Sequence, residues 1–299
     1  MNDTDDITIV TAFFDIGRGF WSSKFKRTTK FYIQSFLNYL DYPYKIVCYI
    51  DDRCIDYVLE HYARSPHRNV TFIPINLLWL VHNIQSWKNL TKDVEIMKSD
   101  IYKEYLNNRL KIMYPNGAPP GKDIVKMFPE NEIPEYNAIN HAKIDFINHA
   151  IQNGYINTSV TCWSDFGYFG TQHQNNKLTF PKNTLDKNRF SEGRITFFIQ
   201  KEIVEQDVDP LYMLVCAPEL FTGTFWGGPT NLMPSFQALY HECVEELYSV
   251  NISDDDQHIY LRCCLKNADL FDLKLNATGE WPKGLLFFEK KSKSPGKLI

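Results

Sequence analysis

The sequence predicts an α/β protein with a mostly parallel central sheet flanked by helices, and with a smaller mixed β region. Apolar runs typical of buried strands occupy residues 7–10, 44–50 and 70–75. Helix-type segments alternate with them, one after Thr28 and one from Ile55. Such a β-α-β-α-β series gives parallel strands with right-handed crossovers. A ligand site is therefore expected at the carboxyl ends of the strands.

Length and composition indicate one large globular domain. The chain has 299 residues, of which 44% are hydrophobic and 15% aromatic, enough to bury a sizeable core. No repeat or linker stands out, so we expect a single domain over residues 1–299 with insertions. The net charge is −4, and the cations are scattered apart from a short basic tail at 289–299. A nucleic-acid surface needs clustered positive charge, so nucleic acid is not an expected partner.

The cysteines indicate a reducing compartment. Seven are present, an odd number without a C-x-x-C pair, and no apolar signal segment opens the chain. No stretch reaches the 18 or so apolar residues that a transmembrane helix needs. We expect a cytoplasmic protein without a transmembrane segment.

The rest of the chain alternates further. Residues 76–113 have a helical pattern, and 114–134 are rich in Pro, Gly and charge, which indicates a loop or lid. A helix over 135–152 precedes the strand that ends at Asp165. Shorter strands are expected at 195–200, 212–217 and 221–225, and helices at 229–250 and 253–266.

Asp165 is the first candidate for chemistry. It follows Val160-Thr161-Cys162-Trp163 in the stretch TCWSDFGYFG, so it belongs at the exit of a central strand. A carboxylate there suits Mg²⁺ or Mn²⁺, since such an ion commonly takes one or two protein carboxylates together with substrate phosphates. The alternative is a turn Asp that accepts bonds from its own backbone before Gly167.

Three blocks, TIVTAFFDIGRGFW, WSDFGYF and FTGTFWGGP, resemble the HtrL/YibB family, whose members are placed among glycosyltransferases of the GT-A fold. The resemblance runs in scattered blocks from about residue 7 to residue 265. It implies a GT-A-like, Rossmann-like fold and a metal-dependent glycosyltransferase. The substrates would be a nucleotide-diphosphate sugar and a glycan or protein acceptor, and the cofactor would be Mn²⁺ or Mg²⁺.

The resemblance also implies positions for the donor. The metal-binding Asp of the family's DxD motif corresponds to Asp165, and Trp163 stands where the first acid of that motif is expected. The other implied donor contacts lie at the ends of the first two strands, namely Thr11, Ala12, Phe13 and Asp51.

Two cations are candidates for the donor phosphates. Arg18 lies in the DIGRG loop, where glycines permit close backbone approach, although the loop lacks the G-x-G-x-x-G spacing of a dinucleotide site. Lys143 lies on the helix that leads into the Asp165 strand. The alternatives are a solvated turn Arg and an ordinary exposed helical Lys.

The cluster SDDDQH at 253–258 has two readings. Ser253 and Asp256 have capping-box spacing, and acidic residues favour a helix start. Three carboxylates exceed what a cap needs, so Asp256 and Gln257 are catalytic candidates, as a donor-sugar contact or general base. His258 is a candidate second metal ligand.

The block FTGTFWGGP predicts a sugar subsite. Trp226 would stack on the apolar face of a pyranose while the amides of Gly227 and Gly228 approach its hydroxyls. The alternative is a tight strand-to-helix turn with Pro229 at the helix start.

Two rival functions stay open: a non-catalytic protein that binds a nucleotide sugar or glycan, and a nucleotidyltransferase on a similar sheet. The remaining histidines show no H-E-x-x-H spacing, so a zinc hydrolase is not expected.

Overall fold

The computed structural model describes residues 7–21, 25–41, 43–65, 67, 69–109, 111, 128–170, 184–276 and 283–290. The strands are β1 (Ile7–Phe13), β2 (Lys45–Asp51), β3 (Val70–Ile75), β4 (Val160–Ser164), β5 (Ile195–Ile199), β6 (Phe225–Pro229) and β7 (Phe271–Leu275). The helices are α1 (Thr29–Leu37), α2 (Ile55–Tyr62), α3 (Leu77–Asn83), α4 (Gln85–Lys88), α5 (Leu90–Lys98), α6 (Asp100–Asn107), α7 (Pro129–Glu132), α8 (Pro134–Gln152), α9 (Pro210–Cys216), α10 (Met233–Ser249), α11 (Asp256–Lys266) and α12 (Lys283–Phe287).

All seven strands belong to one sheet, in the order β3-β2-β1-β4-β6-β5-β7. Strand β6 runs antiparallel to β4 and β5, and the other pairings are parallel. The predicted α/β class with a mostly parallel, Rossmann-like sheet is confirmed. The predicted mixed β region is the β6-β5-β7 half of the same sheet.

Helices cover both faces of the sheet, which is why its strands read as continuous apolar runs. Val10 and Trp163 face the core that includes α8, α10 and α11. Their neighbours Ile9 and Cys162 face the opposite core, against α1. Successive side chains of a strand point to opposite faces, so both faces of β1 and β4 are buried.

The strand order creates a crevice beside β1. The chain proceeds from β1 outward through β2 to β3, and β4 then pairs with the other side of β1. Ligands of open α/β sheets bind where the strand order reverses in this way, outside the carboxyl ends of the strands. Here those ends are Phe13 and Ser164.

Several predicted elements differ from the structure. Residues 212–216 form part of helix α9 instead of a strand, and Ala217 is its C-cap, because Asp209 caps the start of the helix and Pro210 occupies its first turn. The described part of the predicted helical stretch over 76–113 includes the short helices α3 to α6, and the predicted helix over 229–250 begins at Met233. Within the predicted loop over 114–134, residues 128–134 are described and include α7, and 114–127 lie outside the described residues.

The end of the chain adds elements that were not predicted. Strand β7 pairs in parallel with β5, and the helix α12 follows. Residue Phe221 makes an isolated bridge to Ile199, and the strand predicted at 221–225 begins at Phe225. Glu289 bridges to Leu185, and the rest of the predicted tail, 291–299, lies outside the described residues. No helix in the described part of the chain is long and apolar enough to cross a membrane.

Candidate functional site

A pocket of about 310 Å³ opens at the carboxyl ends of β1 and β4, at the crevice that the strand order creates. The structure brings six of the candidate residues to its wall: Ala12, Phe13, Arg18, Lys143, Trp163 and Asp165. These residues are up to 153 positions apart in the sequence, and the switch in strand order brings them together.

Asp165 is fixed at the exit of β4. Its backbone N–H donates to Thr224 O at 2.9 Å, and Trp163 Nε1 donates to Asp165 Oδ1 at 2.7 Å. The carboxylate remains about one-third exposed (33%) in the pocket. Trp163 therefore orients the carboxylate of Asp165 through its indole N–H.

Lys143 forms the floor of the pocket and is buried. Its Nζ donates to Asp256 Oδ2 at 2.7 Å and to Gly223 O at 3.1 Å, and lies 3.3 Å from Asp165 Oδ1. Burial by itself lowers the pKa of this amine, but Asp165 and Asp256 raise that pKa by more, to above its ordinary value. Lys143 is therefore an ammonium at neutral pH.

Asp256 supports Lys143 from below. Its side chain is buried, 4% exposed, and is not among the residues that line the pocket. Gln257 is also outside the lining and accepts a bond from Phe221 N at 3.3 Å. Lys143 and the chain around Gly223 lie between Asp256 and the pocket, so the pocket lends no support to the catalytic roles of Asp256 and Gln257, which stay predictions.

The helix cap in the same cluster is Asp255. Its Oδ1 accepts from Gln257 N at 3.0 Å, which satisfies a free N–H of the first turn of α11. Ser253 donates its hydroxyl to Asp93 Oδ1 at 2.7 Å, so the predicted capping box from Ser253 is wrong. The adjacent carboxylates of Asp255 and Asp256 thus have different roles, the first as a helix cap and the second as the partner of Lys143.

His258 lies away from the predicted metal position. It is buried, its Nδ1 pairs with Asp254 Oδ2 at 2.9 Å, and it does not line the pocket. Among the described residues, no group of three or more His, Cys, Asp or Glu side chains is placed to hold a metal ion. The first turn of α11 directs His258 to Asp254 and not to Asp165, so its role as a metal ligand stays a prediction without support from this geometry.

Two predicted donor contacts lie beneath the pocket. Thr11 is buried within β1, and Asp51 is fully buried at the end of β2. Asp51 accepts from Arg53 Nε at 2.8 Å and from the backbone N–H of Asp15 at 3.1 Å. Burial raises the pKa of Asp51, but these bonds outweigh it and lower that pKa. Asp51 anchors the loop after β1. Neither Thr11 nor Asp51 lines the pocket, and their donor contacts stay predictions.

Asp15 is a pocket residue that the sequence analysis missed. Its Oδ1 accepts from Gly17 N at 2.9 Å and its Oδ2 from Thr29 Oγ1 at 2.8 Å. Gly17 has φ +77°, a left-handed conformation that glycine adopts without strain. The signal was the D-x-G pattern of an Asx turn directly after a strand.

Arg18 is held in place at the pocket wall. Its Nε donates to Phe25 O at 3.0 Å and one terminal nitrogen donates to Tyr32 OH at 2.9 Å. The guanidinium carbon lies 5.3 Å from the ring centre of Trp21 and 5.6 Å from that of Tyr136. These contacts fix a permanent positive charge beside the pocket.

Aromatic side chains from α1 and the DFGYFG turn form another part of the pocket wall. The rings of Phe31 and Tyr32 stand edge to face, with centres 5.6 Å apart, and both line the pocket. A Cβ at Gly167 would lie 3.0 Å from the Tyr32 ring, and one at Gly170 would collide with Phe31. The two glycines let α1 close over the turn that carries Asp165.

The chain matches, over residues 5–289, the family model described as "Bacterial protein of unknown function (HtrL_YibB)". It belongs to the HtrL/YibB family. It is 24% identical over 281 residues to "Protein HtrL" of Escherichia coli (strain K12), a match that covers 92% of this chain and 89% of the relative. The pocket therefore lies within the part of the chain that matches the family.

In this HtrL/YibB protein Thr224 of the FTGTFWGGP block lines the pocket, whereas the FWGGP part is buried in strand β6. Trp226 is fully buried, with its ring centre 5.2 Å from Phe197 and 5.5 Å from Phe236. Trp226 does not line the pocket, so the structure lends no support to the predicted sugar-stacking role, which stays a prediction. The amphipathic indole was taken for a surface residue, whereas β6 lies between β4 and β5.

The adjacent glycines serve strand packing. A Cβ at Gly227 would lie 2.8 Å from Thr161 O, and one at Gly228 would lie 2.9 Å from Ile195 Cα. Both distances are shorter than real Cβ contacts. Neighbouring strands occupy the space beside Gly227 and Gly228, so the structure lends no support to their sugar contacts, which stay predictions.

Proposed function

We propose that this protein is a glycosyltransferase with a GT-A-like fold, which moves a sugar from a nucleotide-diphosphate donor to a glycan or protein acceptor. The observation that carries the proposal is a pocket at the strand-order switch that combines two fixed cations, Arg18 and Lys143, with the accessible carboxylate of Asp165. The resemblance of WSDFGYF to a DxD strand end supports the same assignment.

The cations suit a diphosphate. Lys143 is kept charged by two carboxylates, and Arg18 is held by Phe25 and Tyr32, so neither needs to be reoriented when an anion enters. Charge develops on the diphosphate as the sugar leaves, and fixed cations stabilise that charge without reorganisation. Ala12 and Asn140 complete this side of the pocket.

Asp165 fits a divalent cation. Its Oδ1 is engaged by Trp163 and Lys143, while its Oδ2 accepts no hydrogen bond from the described residues and belongs to a carboxylate that is one-third exposed. Mg²⁺ and Mn²⁺ sites of this kind use one or two carboxylates and complete their coordination with water and phosphate oxygens. When bound, the ion would supply further neutralisation of the leaving diphosphate.

The aromatic wall suits a planar or apolar ring face of the donor. Phe31 and Tyr32 line the pocket together with Phe13, whose ring lies 5.1 Å from Tyr32. Such rings bury large apolar area at little entropic cost. A cytoplasmic location is part of the proposal, on the grounds of the odd number of cysteines without a paired motif.

A thermal-shift experiment tests the donor site. UDP and UDP-sugars, with other nucleotide diphosphates alongside, should raise the melting temperature of the wild type in the presence of Mn²⁺ or Mg²⁺. A ligand at a hundred times its Kd stabilises a protein by about 2.7 kcal/mol. Asp165→Asn should lose the metal-dependent part of the shift, and the exposed Asp100→Asn should keep it. A full shift in Asp165→Asn would place the metal elsewhere.

Product analysis separates the rival functions. A transferase that is given Mn²⁺ and a nucleotide sugar should release free nucleotide, slowly to water and faster with an acceptor. A protein that only binds releases none. Formation of a nucleotide sugar from a nucleoside triphosphate and a sugar phosphate would instead identify a nucleotidyltransferase.

A further inference from the structure

The ammonium of Lys143 occupies the position between two carboxylates that a divalent cation would otherwise favour. Asp165 Oδ1 and Asp256 Oδ2 both lie within 3.3 Å of Lys143 Nζ. Two carboxylates this close to a common point repel each other unless a cation lies between them. Lys143 is that cation, and it is buried with its third bond made to Gly223 O.

We propose that Lys143 is an internal counter-ion that makes divalent-cation binding at Asp165 depend on an anionic diphosphate in the pocket. The inference rests on the proposed donor site and adds a regulation to it. With Lys143 in place, an incoming ion finds an ammonium beside Asp165 Oδ1, while Asp165 Oδ2 accepts no hydrogen bond from the described part of the chain. That arrangement binds a divalent ion weakly.

A diphosphate changes this balance. Its oxygens supply further ligands, which Mg²⁺ and Mn²⁺ prefer, and its negative charge offsets the two fixed cations, Lys143 and Arg18. The same cations attract the diphosphate, so ion and nucleotide should bind with positive coupling. By linkage, each must then raise the affinity of the other by the same factor.

Manganese titrations measure this coupling without any turnover. Free Mn²⁺ is followed by electron paramagnetic resonance with and without UDP, and the Mn²⁺ held by UDP alone is determined in protein-free samples. The wild type should bind Mn²⁺ at least about tenfold more tightly when UDP is present, which is within the usual range of coupling free energies. Equal affinity with and without UDP overturns the inference.

Lys143→Gln removes the internal counter-ion. The carboxylates of Asp165 and Asp256 then have no cation between them. Mn²⁺ alone should therefore bind to this variant at least about tenfold more tightly than to the wild type, and the coupling between Mn²⁺ and UDP should be weaker. The matched control is Lys98→Gln, which removes the same charge from an exposed position on α5. Unchanged Mn²⁺ affinity in Lys143→Gln also overturns the inference.

Asp256→Asn should also reduce the coupling between Mn²⁺ and UDP, because it removes a carboxylate partner of Lys143 and keeps the cation. This variant is the test if Lys143→Gln does not fold. Lys143 loses its 2.7 Å partner, so its charge is more available to UDP. Metal-free UDP should bind more tightly, while Mn²⁺ alone should bind no better than to the wild type. Coupling unchanged from the wild type in Asp256→Asn counts against the inference.

The two proposals fail in different ways. If UDP binds under no condition, the proposed nucleotide-diphosphate donor is refuted. The effect of Lys143→Gln on the affinity for Mn²⁺ alone still decides whether Lys143 is the counter-ion. If UDP binds strongly and equally with and without Mn²⁺, the donor site stands and the counter-ion coupling falls.

Discussion

The adjacent residues Asp255 and Asp256 should respond in opposite ways to the same substitution. Asp256 gives Lys143 its shortest contact, 2.7 Å, in a buried position. Asp255 caps α11, and burial together with repulsion by Asp256 raises the pKa of its carboxyl well above the ordinary value. Replacement by Asn keeps the shape of each side chain and removes its negative charge.

The magnitudes follow from these environments. A hydrogen bond to a charged group contributes about 1.5–3 kcal/mol, and breaking a buried ion pair costs about 3–5 kcal/mol. Since Asn still accepts a bond and Asp165 still faces Lys143, Asp256→Asn should lower the free energy of unfolding by about 2–3 kcal/mol. Asp255→Asn should not lower the free energy of unfolding by more than about 1 kcal/mol, because Asn is an equally good cap.

The pKa of Asp255 determines how the stability effect of Asp255→Asn changes with pH. Its folded pKa is above its unfolded value, so its ionisation costs stability, and this cost grows as the pH rises above the unfolded pKa. Asp255→Asn removes this cost, so the free energy of unfolding of the variant should rise relative to that of the wild type from pH 5 to pH 8. The cost of Asp256→Asn should persist at both pH values.

Urea denaturation at pH 5 and pH 8, followed by circular dichroism, measures both variants against the wild type. A shift of the midpoint without a change of slope reports stability alone. The reasoning is refuted if Asp255→Asn is the more destabilised of the two at pH 8. It is equally refuted if Asp256→Asn stays within 1 kcal/mol of the wild type, the limit taken from the effect of a helix cap.

Three further predictions concern the core and a buried acid. Trp226→Ala should lower the free energy of unfolding by about 3–5 kcal/mol in urea denaturation, and any loss of affinity should be equal for UDP and UDP-sugar. A weaker affinity for UDP-sugar alone would return Trp226 to the sugar subsite. Gly227→Ala should cost about 1–3 kcal/mol, since its Cβ would meet Thr161 O at 2.8 Å; a neutral effect would contradict the strand contact. Burial and the charge of Asp254 raise the pKa of Glu130 to about 7, so Glu130→Gln should gain stability relative to the wild type from pH 5 to pH 8. No relative change over that range would show that Glu130 is ionised at no cost, and a relative loss would show that the fold favours its ionised form.

Local pattern sufficed for much of the fold. The apolar runs at β1, β2, β3 and β4 are long, rich in β-branched residues and bounded by turn residues, so each reads as a buried strand. Because their alternation with helices dictates a parallel sheet, the position of Asp165 at a strand exit also followed. Strand β7 was missed because FDLKL is short and half exposed, and it is ordered mainly by pairing with β5.

The sequence by itself determined the α/β class and the residues that follow β1 and β4, because periodicity and turn chemistry act over a few neighbouring residues. Only the tertiary structure decided which polar and aromatic side chains reach the pocket. Asp256 and Trp226 are as polar or amphipathic as any ligand contact, yet Lys143 covers one and strands on both sides enclose the other. Burial depends on contacts between segments that are distant in the sequence, such as that of Lys143 with Asp256. A pattern of neighbouring residues cannot predict such contacts.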